Sequence, residues 1–129
     1  MLRRFLLSLA LLVAFVPAPA PAAGTADVQA TWQLLDYLAV DYGGAVRDGK
    51  VVSASEYAEM REFSASARDK IAALPANAAK AALVAESKQF ATLVDTKASP
   101  ADVASAAHAL GQHLLAAYPV PLGPKLAPD

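Results

Sequence analysis

Asp36, Asp41, Glu56, Glu59 and Glu62 share one stretch of the chain with Tyr37, Tyr42 and Tyr57. Carboxylate and phenolate oxygens together are the ligands that hard cations such as ferric iron prefer. Glu56 and Glu59 are three apart and share a helix face, as do Glu59 and Glu62. Asp36 and Asp41 are five apart, about 140° around a helix, so a single ion does not bridge them directly. Asp41 lies near the end of one helical segment and Glu56 opens the next. A short connection between antiparallel helices therefore brings them together. The candidate oxygen-ligand site is Asp41, Glu56 and Glu59, with Tyr42 as a phenolate. The same residues fit a plainer role as solvated carboxylates and packed tyrosines, since an acid such as Glu56 in a first turn already gains from the helix dipole.

Other chemistry is harder to place. His108 and His113 are five apart, which turns them away from each other, unlike the i, i+4 pair of a helical metal site. The chain has no cysteine, which excludes disulfides, thiolate metal sites, covalent haem attachment and thiol catalysis. No nucleophile elbow, catalytic triad or Gly-rich phosphate loop is visible, so an enzyme is not expected. Trp32 and Phe63 read as core anchors.

Four helical segments must position these groups. The first runs from about Ala26 to Tyr42, with Thr25 as its cap. Val28, Thr31, Trp32, Leu35, Leu38, Ala39 and Tyr42 form one face at spacings of three and four. Gly43-Gly44 should end it with left-handed backbone. Asp48-Gly49 marks a tight turn, with flanks too short to require a hairpin. Ser53-Ala54-Ser55-Glu56 has the form of a capping box. The second helix then runs from about Ala54 to Ala73, with Tyr57, Met60, Ser64, Ala67, Ile71 and Leu74 inward and Pro75 as its stop. Asn77 caps a third helix that reaches about Lys97. Ser99-Pro100-Ala101-Asp102 opens a fourth that reaches about Tyr118. Short loops favour antiparallel neighbours, so the expected fold is all-α, an up-down four-helix bundle.

The ends of the chain carry different signals. Arg3 and Arg4 precede an apolar run from Phe5 to Val16, followed by Pro17, Pro19 and Pro21 among alanines. That pattern is a signal peptide, residues 1–23, cut after Ala22 or Ala23. The run is shorter than the roughly 20 residues a spanning helix needs, so no membrane span is expected after cleavage. The bundle then covers residues 24–118, and a proline-rich, linker-like tail covers 119–129. Such a linker suggests a further domain or protein beyond it. Without Arg3 and Arg4, nine basic residues face twelve acidic ones, a net of −3, which gives no reason to expect nucleic-acid binding.

The stretch from Trp32 to Phe63 adds a resemblance. Trp32-Gln33-Leu34-Leu35-Asp36-Tyr37, Val40-Asp41-Tyr42, Asp48-Gly49-Lys50-Val51 and the spaced Glu56-Tyr57, Glu59-Met60 and Glu62-Phe63 resemble the N-terminal periplasmic segment of bacterial high-affinity iron permeases. The form resembled is the one in which a cytochrome c domain precedes the membrane permease. Tyr118-Pro119-Val120-Pro121 resembles the linker ahead of that haem domain. The likeness spans nearly the whole mature chain and is dense in the first two helices. The haem-attachment motif and the permease's membrane motif are both absent from this chain. The resemblance therefore implies an accessory periplasmic domain of an iron-uptake system, with a cytochrome c domain and a membrane iron permease as partners. It does not imply transport by this chain. A structural helical spacer or interaction module, with no metal or catalytic role, is the alternative.

Overall fold

The computed structural model describes residues 24–122. The expected signal peptide at 1–23, and residues 123–129 of the expected tail, lie outside the described residues. Four helices make up the chain between: α1 (Thr25–Asp41), α2 (Ala54–Ala72), α3 (Lys80–Asp95) and α4 (Pro100–Ala117). Each packs on its neighbour in sequence, and α4 closes back onto α1. Cross-links at the two ends fix the alternation. At one end, Tyr42 just after α1 donates its hydroxyl to the Ala98 carbonyl between α3 and α4, at 2.7 Å. Tyr57 in the first turn of α2 reaches the Val94 carbonyl near the end of α3, at 2.9 Å. At the other end, Asn77 ahead of α3 donates to the Ala117 carbonyl that finishes α4, at 3.1 Å. The Tyr118 hydroxyl after α4 donates to the Pro75 carbonyl after α2. The bundle is up-down-up-down, as the short loops between the helices predict.

The three-and-four spacing accounts for the core. Val28, Leu35, Leu38, Met60, Ile71, Leu83, Phe90, Val94, Val103, Leu110 and Leu114 are all buried. Each fully buried leucine contributes about 1.5–3 kcal/mol. The buried hydroxyls are satisfied within their own helices: Thr31 donates to Asp27, Ser64 to Arg61 and Ser87 to Val84, all at backbone carbonyls. Trp32, expected at the centre, is only partly buried. Its indole lies over Gly111 of α4, where an added Cβ would stand 3.5 Å from the ring. That is ordinary van der Waals contact, so the indole packs directly on α4 at this position. No helix among the described residues is long and apolar enough to cross a membrane.

Several local expectations change. Gly24, with a left-handed φ of 88°, precedes α1, and Thr25 is its first residue. Gly43 and Gly44 do not adopt left-handed backbone; the chain leaves α1 by tightening into a 3-10 turn, Tyr42–Gly44. The Glu56 carboxylate lies close over Gly44, where a Cβ would stand 2.7 Å from its oxygen and displace that exposed side chain. Asp48 and Gly49 both take positive φ, which is the twist that closes a two-residue hairpin loop. They join two-residue strands β1 (Val46–Arg47) and β2 (Lys50–Val51), paired antiparallel. Ser53 accepts the Glu56 amide at 3.4 Å, the forward half of the capping box, while its own amide donates to the Ala45 carbonyl. Helix α3 starts at Lys80, three residues after Asn77, whose side chain accepts the Ala79 amide and ties α3 to α4. Lys97 takes a φ of 56° in the turn that ends α3, with Lys97 and Ala98 amides bonded to the Val94 and Leu93 carbonyls. That is a Schellman stop built on lysine instead of glycine.

Candidate functional site

The flank where α1 meets α2 carries the chemistry-bearing residues. Beside the buried stripe of each helix runs a second stripe at the same spacing. On α1 it is Ala30, Gln33, Leu34 and Tyr37; on α2 it is Glu59, Glu62, Phe63, Ser66 and Lys70. The two stripes face each other across an open hollow of about 630 Å³. Leu34 and Phe63 are partly buried and form its floor. Tyr37 stands at one end, 42% exposed, with its ring edge-on to Phe63 at a centroid distance of 5.3 Å. A second hollow of about 480 Å³ continues past Glu62, Ser66 and Lys70 towards Asp27 and Asp69. Lys70 faces Asp27 at 3.9 Å across the helix pair.

The candidate acids gather at the Tyr37 end. The Glu59 carboxylate foremost, then partial desolvation, then Asp41 and Glu56, hold the Tyr37 phenol above its ordinary value. Asp41, Glu56 and Glu59 therefore act on one point, as a short connection between α1 and α2 requires. The Glu56 carboxylate itself is folded over Gly44. Among the described residues, no three Asp, Glu or His side chains stand close enough to hold one metal ion.

Tyr42 lies elsewhere. It is fully buried, its hydroxyl is given to Ala98, and its phenol is pushed up to about 12 by burial first and by Tyr57 second. A buried phenol with a carbonyl partner favours its neutral form. The tyrosine among the acids is Tyr37. The signal for it was available: Gln33 and Tyr37, Ala30 and Leu34, and Glu59 and Phe63 are each four apart, a second stripe adjoining the core stripe.

The remaining groups are engaged in structure. Tyr57 bonds the end of α3 and lies between two cations, with Arg61 and Lys97 each 5.9 Å from its ring centre. Arg61 also pairs with Asp95 at 3.1 Å. His113 meets the Glu86 carboxylate at 2.9 Å across α3 and α4. His108 is exposed on α4, beside a small hollow lined by Trp32 and Asp36. The two histidines lie in different surroundings, as their spacing predicts.

Comparison with known proteins gives one result. The family model of the iron permease-associated 4-helix bundle domain matches residues 20–121. No curated protein and no solved structure matches the chain.

Proposed function

The chain belongs to the family of iron permease-associated 4-helix bundle domains, and on that premise we propose that it is an accessory domain of a high-affinity iron-uptake system, working in the periplasm and docking a membrane permease and its cytochrome c partner. The family is one of transport, and the match covers all four helices. The observation that carries the finer reading is the open flank between α1 and α2, where exposed aromatic surface and carboxylates stand together. The rest of the bundle supports that flank through its core and its end-to-end hydrogen bonds.

The test is uptake of radiolabelled iron by iron-starved cells with and without the gene, together with cross-linking to membrane partners. Loss of the chain should slow uptake, and restoring it should recover the rate. Cross-links to a permease or a cytochrome c are expected from the α1–α2 side. Unchanged uptake together with no cross-linked partner would overturn the reading.

A second reading is that Asp41, Glu56 and Glu59 hold iron as cargo, with Tyr37 rather than the buried Tyr42 near it. Its support is the convergence of the three acids on the Tyr37 hydroxyl. Bound cation relieves repulsion among the acids, so the melting temperature should rise as RT ln(1 + [L]/Kd) dictates. Melting curves with ferrous or ferric ion, under chelator control, decide it. No shift with either ion, and no effect of Glu56→Gln with Glu59→Gln, would remove the metal site.

A further inference from the structure

The α1–α2 groove has an apolar floor, an acidic rim and a measurable length. Leu34 and Phe63 form the floor, and Tyr37 closes one end with its ring packed edge-on to Phe63 and partly in solvent. Glu59 and Glu62 stand on the α2 wall, and Asp41 and Glu56 flank the Tyr37 end. From Tyr37 back to Asp27 the two hollows share Glu62, Ser66 and Lys70 and run on continuously. Ten helical residues at 1.5 Å each make this about 15 Å, roughly three turns of a helix laid alongside.

The charge along that length is one-sided. Lys70 is the cation lining it, and it already faces Asp27. Arg61 points to the α2–α3 side, where it meets Asp95 and the Tyr57 ring. The Tyr37 phenol is held above its ordinary value chiefly by Glu59, which accords with negative potential at the groove mouth. Glu62 carries the acidic row on along α2 from the Tyr37 end, and among the described residues no three acids stand close enough to share one ion. A row of carboxylates beside an apolar floor is complementary to a row of cations beside an apolar stripe. It repels an anionic lipid surface.

We infer that the α1–α2 groove is the docking site for a cationic amphipathic helix of a partner protein, about three turns long, whose apolar side chains sit on Leu34 and Phe63 and whose lysines or arginines face Glu59, Glu62 and Asp41. This deepens the docking role proposed above and rests on it for the identity of the partner. Recognition of an amphipathic helix in a groove needs apolar anchors at i, i+3, i+4 and i+7, and three turns supply that set.

The full chain should be titrated with a synthetic Leu/Lys amphipathic peptide of about 14 residues, four turns of helix. Amide chemical shifts report where it binds. Shifts should be confined to the α1–α2 flank, around Gln33, Leu34, Tyr37, Glu59 and Phe63. Glu59→Gln with Glu62→Gln should weaken binding by about tenfold, because rim charges steer and hold the partner. Glu86→Gln, on the opposite flank, should leave it unchanged. Peptides with glutamate in place of lysine, or glutamine in place of leucine, should bind at least about tenfold more weakly, as loss of either complementary element predicts. Shifts spread over α3 and α4, or equal binding of either control peptide, would overturn the proposal. So would displacement of the peptide by stoichiometric ferrous ion with shifts at the same acids, which would assign the flank to a cation. Uptake and peptide binding fail separately. Normal iron uptake without the chain, with groove-confined peptide binding intact, removes the cellular role and leaves the groove. Impaired uptake with no groove binding does the reverse.

Discussion

Tyr37 and Tyr42 belong to the same short stretch of sequence but to opposite regions of the molecule. The hairpin end of the bundle is closed: Tyr42 is fully buried, and its hydroxyl joins the start of the 3-10 turn to the α3–α4 connection. The α1–α2 flank is open: Tyr37 lies among Glu59, Asp41 and Glu56 with its ring touching Phe63. Both phenols ionise above their ordinary value, for different first causes. For Tyr42 the cause is desolvation; for Tyr37 it is a neighbouring carboxylate. A phenol held by its packing belongs to the fold. A phenol held by surface charge is available to something outside.

The largest expected difference between the two regions is in stability. Tyr42→Ala empties a buried ring site and should cost about 3–5 kcal/mol, the range for large aromatic deletions in cores. Tyr37→Ala loses mainly an edge-on ring contact and should cost about 1 kcal/mol. Denaturant midpoints at constant slope measure both. Comparable costs would show that Tyr37 is part of the fold's support, and would remove the contrast.

That contrast also marks where the sequence is legible. Tyr42 falls on the same three-and-four stripe as Leu35 and Leu38, so periodicity alone puts it in the core. Reading it as a phenolate ligand put one side chain to two incompatible uses, and burial decides between them. Five positions turn a helix by about 140°, so Tyr37 and Tyr42 cannot both face inward. The four helices, their order and most of the core follow from local spacing and stop signals. The groove does not stand out as clearly, because its walls come from two helices whose relative rotation depends on packing. Trp32 is only partly buried although it falls on the core stripe, because its partner surface around Gly111 comes from α4, far away in sequence. The hairpin strands are two residues each, too short to show any alternation. Asn77 accepts the Ala79 amide ahead of α3 and also reaches the Ala117 carbonyl on α4, a contact no local signal reports.

The next effect in size is alkaline instability at the closed end. Tyr42 has a folded-state value of about 12 against about 10 when exposed. The fold therefore favours the neutral phenol. Its contribution is fully present below pH 10 and is lost as pH climbs from about 10 through about 12. Stability measured by denaturant across that window should fall. Tyr42→Phe keeps the ring, forfeits the bond to Ala98 at a cost of about 1 kcal/mol at neutral pH, and should flatten the decline. A decline of the same size in Tyr42→Phe would assign it to other tyrosines or to the lysines.

The smallest effect is the most selective, because it separates the two causes at fixed structure. Salt screens interactions between exposed charges over about 8–10 Å at moderate ionic strength, and it screens buried groups far less. The first cause of the Tyr37 shift is Glu59 across an open hollow, with Asp41 and Glu56 adding to it. Raising the salt concentration should therefore bring the Tyr37 value down towards that of a free tyrosine. Tyr42 is raised first by burial, and salt does nothing to restore its missing water. Its value should stay where it is. Ring-proton shifts of the two tyrosines, followed through alkaline titrations at low and high salt, read both values in one sample. Glu59→Gln should lower the Tyr37 value at low salt and remove most of its salt response, since it deletes the largest source of the field. If Tyr37 keeps its shift at high salt, desolvation rules both phenols, the negative potential on the flank is weak, and the charge complementarity invoked for a cationic partner goes with it.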